Sequence, residues 1–412
     1  MKPRILFFGT YDEGPGYPRK DALVLALERL GFSVESLRVE ILPKSGERKR
    51  VLQDPLALLR WGGRILGGRR ALDKALKKAL GKGPVSAILV GHPGHFAIPL
   101  VRKRFTGPIL LDFFFSLQDT VVGDRKLFRD GGWMDRFLTH LDQKACEAAD
   151  LILVDTPENR EFTSRLTGVP KERISFVPIS LPHPPGAAVP LPRIQDDSID
   201  ILYLGTAVPL HGTETLLSAV SRCDHARLTF VGGSEETRLQ AMALGPHRLL
   251  SVHSWLDSEG IQKAMERVQV VAGVFGTSEK AGRVIPYKLI HGFAAGRVVL
   301  TGDTSAVNTL CEPGGDCMTV PVGDPSALAR ALDNLWETPH LLQRIGSAAR
   351  KRYERTFSIQ GMSERLRYAL EKFPSLEEAM GEGAKSTETG SSDKPEDKVT
   401  GRTEIFSTSA NL

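Results

Sequence analysis

Two histidines, His92 and His95, follow an apolar run at 85–90 in the stretch Gly-His-Pro-Gly-His. The carboxyl end of a buried parallel strand is where α/β proteins place their chemistry. A histidine there titrates near neutrality, which suits a general base or a donor to a developing oxyanion. Asp112 closes a second apolar run, 108–111. A carboxylate in that setting needs either a partner or a chemical role. As a base it takes a proton from a hydroxyl, and as a structural group it anchors the next loop. Further on, the turn from Gly205 to Gly212 and the turn 301–305 each precede a helical pattern, so backbone N–H groups and a helix start can receive a phosphate. Gly282, Arg283 and Lys288 lie between those turns, and the two cations add positive charge there.

These groups need elements to hold them. Residues 201–220, ILYLGTAVPLHGTETLLSAV, read as strand, glycine-containing turn and helix, the opening unit of a Rossmann-like domain. A second such opening stands at residues 4–9. Its strand is apolar without alternation, as a parallel strand covered on both faces should be. The loop after it, 9–19, is longer than a dinucleotide fingerprint and lacks the G-x-G-x-x-G spacing. It reads as a substrate-facing loop beginning at Gly9, with Tyr11, Tyr17 and Arg19 as contacts, or else as an ordinary connection from strand to helix. Further strands are expected at 34–39, 151–154 and 173–178 in the first half, and at 228–231, 268–274 and 298–300 in the second. The expected fold is α/β, two Rossmann-like domains facing across a cleft. The first domain covers 1–180, a proline-rich linker 181–200, the second domain 201–352, and a helix at 353–372 follows. From 377 to 412 the chain is so poor in apolar residues that a disordered tail is expected.

The chain of 412 residues is comfortable for two cores, and its 41% hydrophobic and 25% charged residues are those of a globular protein. A formal charge of +5 does not argue for nucleic acid. Cys146, Cys223, Cys311 and Cys317 show no Cys-x-x-Cys spacing, so buried reduced thiols are expected and no metal knuckle. Nothing at the N-terminus reads as a signal peptide, and no apolar run reaches the length of a spanning helix. A cytoplasmic location is expected, with peripheral attachment to the inner face of a membrane open. That attachment is suggested by residues 44–82. There many basic residues, Arg60, Arg64, Arg69 and Arg70 among them, interleave with Leu56, Leu58, Leu59, Trp61, Ile65 and Leu66. A basic amphipathic segment can rest on an anionic bilayer. The alternative is a helical hairpin packed on the domain with its charges in water.

With the ordering of its motifs in view, the chain resembles the retaining, nucleotide-sugar-dependent glycosyltransferases of family 4, which have the GT-B fold. The resemblance covers roughly residues 1–372 and rests on ILYLGTAVPLHGTETLLSA, YKLIHGFAAGRVVLTGD and the stretch 324–358 ending in ARKRYERTFS. It implies that the second domain holds a nucleotide-sugar donor and the first presents a glycan or lipid-linked acceptor, with the last helix crossing back to the first domain. Gly205 and Thr206 match the turn beneath the donor diphosphate. Where relatives carry a phosphate-gripping lysine, this chain has His211, and no arginine stands between Gly205 and Gly212. The family's two glutamates, with seven residues between them, fall on Arg283 and His291, with Glu279 nearby; the later position contacts the ribose. Pro-Tyr-Lys resembles a Pro-x-Lys element and makes Lys288 the foremost phosphate contact. His95 or His92 aligns with the region that supplies a histidine near the transferred sugar, and Asp112 with a histidine or aspartate. The loop from Gly9 would face the donor phosphates. The implied reaction needs no metal and no cofactor beyond the donor itself. The departures leave a second reading, a catalytically degenerate GT-B protein acting as a binding or scaffold component.

Overall fold

The computed structural model describes residues 2–14, 17–41, 55–186, 189–206 and 208–384, with only the backbone of 55–66 and 381–384. Two six-stranded sheets make up the molecule, and every strand pair in them is parallel. The first contains β1 (Arg4–Gly9), β2 (Ser33–Arg38), β3 (Ala87–Val90), β4 (Ile109–Asp112), β5 (Leu151–Val154) and β6 (Ile174–Phe176), in the order β2-β1-β3-β4-β5-β6. The second contains β7 (Ile199–Gly205), β8 (Ala226–Gly232), β9 (Leu249–His253), β10 (Val270–Ala272), β11 (Val298–Gly302) and β12 (Met318–Val320), in the order β12-β11-β10-β7-β8-β9. In both sheets the strand order reverses beside the first strand. That switch point opens a crevice at the carboxyl ends of the strands. This is the GT-B architecture of two Rossmann-like domains.

Helices cover both faces of each sheet. In the first domain α1 (Arg19–Arg29) lies on one face, while α2 (Pro55–Leu80), α3 (Ile98–Arg104) and α4 (Trp133–Ala148) pack on the other, and α5 (Pro157–Thr167) precedes β6. The central strands β3, β4 and β5 are buried along their whole length, which accounts for their unbroken apolar runs. Between β4 and α4 the chain makes one π-helical turn, Asp119–Asp124, over a small core of Val121, Val122 and Leu138. The second domain carries α6 (Thr213–Val220), α7 (Glu235–Met242), α8 (Ser258–Met265), α9 (Glu279–Arg283), α10 (Tyr287–Ala295), α11 (Ser305–Leu310), α12 (Pro325–Glu337) and α13 (His340–Arg352).

The chain then returns. Helix α14 (Ile359–Leu370) buries Met362, Leu366 and Leu370 in the first domain beside Leu23 and Leu27 of α1. Helix α15 (Pro374–Ala384) follows and buries Leu376 and Met380 in the same core. The sequence reading placed 377–384 in a disordered tail, and here it is overturned. Leu376, Ala379 and Met380 fall on one helical face, and a tertiary surface is waiting for them. Residues 385–412 lie outside the described residues. So do 42–54 of the basic stretch. What is described of that stretch is one long helix, α2, with Leu72, Leu76 and Ala79 buried and Arg69, Arg70, Lys74 and Lys77 exposed.

Candidate functional site

β7 delivers Tyr203 and Gly205 to the edge of the crevice. A Cβ on Gly205 would stand 2.6 Å from the Tyr203 hydroxyl and 2.8 Å from His211 Nδ1, so only glycine fits the turn. Gly212 has φ +59°, and a Cβ there would meet the backbone of Phe275 at 2.4 Å. The loop between them is thus clamped under the segment leaving β10. His211 Nδ1 lies 2.7 Å from the carbonyl oxygen of Thr206, and that oxygen can only accept, so the Nδ1 proton is there. The Tyr203 hydroxyl bonds Thr213 Oγ1 at 2.8 Å and closes the loop from below.

Lys288 stands in the first turn of α10, behind Pro286. Its side chain is buried, with Nζ 4.2 Å above the Tyr203 ring and without a hydrogen-bond partner. Burial holds its pKa well below the usual lysine value. Burial, and then the charge of Lys288, keeps His211 well below the ordinary histidine range. His291, one turn beyond Lys288, is pushed down by burial to about 4 and is neutral. A positive charge on Nζ, buried and without a hydrogen-bond partner, is costly to hold. An anion arriving beside Nζ would relieve that cost.

On the first domain the three strand-end groups separate. His92 is half-buried, edge-on to Phe115 at 5.5 Å and Phe114 at 6.2 Å. His95 is fully enclosed, its Nε2 2.7 Å from Asp142 Oδ1. Asp142 also accepts from Ser116 Oγ, Leu117 N and Gln118 N, so this pair pins the loop after β4. His95, expected as a catalytic group, is thus held by Asp142 through Nε2, while its Nδ1 is buried without a hydrogen-bond partner. Asp112 accepts from Arg19 Nε at 2.7 Å, with both side chains buried. Burial raises the Asp112 pKa against the pull of Arg19. The same guanidinium donates to the Val177 carbonyl and lies over Phe114. Arg19 therefore belongs to a buried ion pair in α1 and is not a surface contact for an acceptor. Tyr11 is corrected too: 2% exposed, it packs edge-on against Phe7 in the core. Tyr17, 39% exposed, is the member of that trio left on the surface, and Gly9 ends β1 at the crevice.

Arg283, read as a phosphate contact, holds the domains together instead. Its Nη2 meets Asp119 Oδ1 at 2.5 Å, its guanidinium lies 4.0 Å over Phe162, and its carbonyl accepts from Thr156 Oγ1 at 2.6 Å. Lys280 Nζ reaches Thr120 Oγ1 at 2.7 Å and Asp119 at 3.4 Å, while Ser278 bonds Asp124 at 3.2 Å. A Cβ on the neighbouring Gly282 would meet open space. The sequence showed Asp119 and Asp124 only as polar residues of a loop, and nothing in their spacing pointed to partners some 160 residues away. Among the described residues, Cys311, Asp316 and Cys317 could converge on a metal ion, but Asp316 is already bonded by Arg352 and by the Glu312 amide.

Residues 198–338 match the family model described as glycosyl transferases group 1. The phosphatidyl-myo-inositol mannosyltransferase of Mycobacterium leprae (strain TN) is 31% identical over 162 residues, which are 37% of this chain and 42% of that protein. The chain thus spans less than half the length of this curated relative. The fold is similar to that of the sucrose-phosphate synthase from Thermosynechococcus elongatus (TM-score 0.68, 16% identity, 91% of this chain and 100% of that one). It is also similar to Alr3699/HepE of Anabaena in complex with UDP and glucose (TM-score 0.61, 14% identity, 90% and 100%). A third solved structure, the lipopolysaccharide outer core galactosyltransferase WaaB in its apo form, has a TM-score of 0.61 at 14% identity over 90% and 99%.

Proposed function

We propose that this chain, whose residues 198–338 match the group 1 glycosyl transferases, moves a sugar from a nucleotide-sugar to a hydroxyl of a glycan or lipid-linked acceptor, with retention of configuration. One observation carries the reading: Lys288 Nζ is buried without a hydrogen-bond partner, at the crevice end of β7 and beside the glycine turn. A donor diphosphate beside Nζ would supply the missing charge. The same ammonium and the amides of the Gly205–Thr206 turn would then stabilise the phosphate as it leaves. Charge stabilisation of this kind is the largest part of such a reaction. His92, half-buried among Phe114 and Phe115 on the opposite wall, is the group suited to meet the sugar or the incoming hydroxyl. Asp142 and His95 hold the loop that carries those aromatics. Alr3699/HepE has been solved with UDP-glucose, which makes uridine nucleotides the first donors to try.

The test is calorimetric titration with a panel of nucleotide-sugars, repeated with Lys288→Ala and followed by product analysis with candidate acceptors. Saturable binding of one nucleotide class, lost in the variant, supports the transferase. Folded protein that binds none of the panel would favour a degenerate binding or scaffold protein.

The acceptor reading extends to glycan or glycolipid assembly at the cell envelope, with the enzyme on the cytoplasmic face of a membrane. Its support is a groove of about 510 Å³ between α2 and α3, lined by Arg69, Arg70, Lys74 and Lys103, with Leu100 and with Lys77 and Arg104 paired to Asp73. Cations so placed meet anionic headgroups. No helix among the described residues is long and apolar enough to cross a membrane. If Arg69→Ala with Arg70→Ala and Lys74→Ala binds anionic vesicles as well as the parent protein, the groove is not the contact.

A further inference from the structure

Two of the four cysteines lie together in one corner of the second domain. Cys311 caps the end of α11 and Cys317 stands directly before β12, joined by the turn Glu312-Pro313-Gly314-Gly315-Asp316. Both are buried in one cluster with Val307, Leu310, Ala349 and Tyr353, Cys311 with 7% of its surface exposed and Cys317 with none. Their Sγ atoms lie within 4.8 Å of each other, and the two thiols are hydrogen-bonded. Cys146 and Cys223 sit in other cores, where Cys223 donates to Asp333.

The turn between the pair is already closed by its backbone. The Gly314 amide donates to the Cys317 carbonyl at 2.8 Å, and the Gly315 and Asp316 amides donate to the Glu312 carbonyl at 2.8 and 2.9 Å. The Asp316 carboxylate accepts from the Glu312 amide and from Arg352, the last residue of α13. Asp316 is therefore engaged, and the thiols are left with each other. Bringing the two sulfurs to the roughly 2.05 Å of a disulfide takes side-chain rotation and a small shift of the turn.

We propose that Cys311 and Cys317 are a modification site, a dithiol that forms a disulfide on meeting a small-molecule disulfide. The Cys311 thiolate, reached through its exposed edge, attacks one sulfur of the oxidant and releases the other as a thiol. The Cys317 thiolate then attacks the mixed disulfide at Cys311 and expels the second half of the oxidant. Two protein thiols are oxidised, the oxidant is reduced to two thiols, and the two cysteine protons pass to them. The hydrogen bond with Cys317, and then burial, hold the Cys311 pKa well above the ordinary thiol range. Thiolate is therefore scarce near neutrality, and the reaction quickens as pH rises. The bridge fastens α11 to β12 behind the turn that receives Arg352, where the chain leaves the second domain. It is independent of the donor site.

The experiment incubates the folded full chain with oxidised glutathione at neutral and at alkaline pH. Thiols titrated in denaturant should fall from four to two, faster at alkaline pH, with the intact mass lower by two hydrogens. Peptide mapping should link Cys311 to Cys317. The melting temperature should rise by about 5 °C and return with dithiothreitol. Cys317→Ser should stop at the mixed disulfide with glutathione on Cys311, because no second thiol is there to displace it. Four thiols remaining after prolonged alkaline incubation would overturn the proposal. So would a lasting glutathione adduct on Cys311 in the parent protein, or a bridge to Cys146 or Cys223. Should the isolated protein hold zinc that shields both thiols and is released by Asp316→Asn, the pair is a metal site and the disulfide falls.

Discussion

Asp119 of the first domain and Arg283 of the second meet at 2.5 Å across the crevice, with about a tenth of either side chain exposed. Lys280 reaches the same carboxylate at 3.4 Å. Asp119→Ala would leave two enclosed cations with only Asp124 and the exposed Glu279 near, and removing one partner of a buried pair costs about 3 kcal/mol. Denaturant unfolding of the variant should show a loss of that size. Adding Arg283→Met should restore part of it, because the stranded charge is then gone. An unchanged midpoint in the single variant would mean that this contact does not hold the domains.

Lys288 gives a prediction in pH. Its folded pKa lies well below the usual 10.5, so between the two values the unfolded chain binds more protons than the folded one. Its contribution to stability therefore rises with pH through that window and is lost as pH falls through it. In the ligand-free protein Lys288→Met should raise the melting temperature at neutral pH and flatten the slope from neutral toward pH 10. The same change should abolish the stabilisation conferred by nucleotide-sugar. A variant less stable than the parent at neutral pH would contradict the account.

His291 acts at the acid side. Its pKa falls from 6.5 to about 4 on folding, so stability is full above 6.5 and is lost as pH drops from 6.5 toward 4. His291→Gln should lessen that acid sensitivity, measured as melting temperature against pH. Identical profiles for the two proteins would exclude the residue.

The two histidines should separate by readout. Asp142→Ala removes the acceptor for His95, Ser116 and two amides, and about 3 kcal/mol of stability should go with it. His92→Ala should leave the melting temperature within about 1 kcal/mol equivalent and lower kcat about a hundredfold if His92 meets the reacting sugar. Full activity in the His92 variant would remove it from the chemistry.

Gly205→Ala places a methyl against the Tyr203 hydroxyl and His211 Nδ1. Overpacking of this kind costs about 2 kcal/mol. Because the displaced atoms form the donor turn, nucleotide affinity should fall along with stability. Loss of stability with affinity intact would place the donor elsewhere.

The sequence by itself determined both sheets and the crevice between them. Unbroken apolar runs such as 87–90 and 151–154, bounded by turn residues, read as strands covered on both faces, and Gly205 reads as the turn that ends another. It also singled out Lys288, through the resemblance of Pro-Tyr-Lys to a Pro-x-Lys element. What only tertiary structure decided was which charged groups are free. Arg19 and Arg283 read as cations facing a substrate, yet each finds an aspartate far away in the chain, Asp112 and Asp119. His95 likewise finds Asp142, and Tyr11 finds Phe7. Residue type and spacing state what a side chain can do. Its partner is fixed by long-range packing, and a buried charge takes the nearest opposite charge because leaving it unpaired costs several kcal/mol. The same holds at the end of the chain, where Leu376 and Met380 are too sparse to order a segment alone and become a helix once the face beside α1 and α14 is there to cover them.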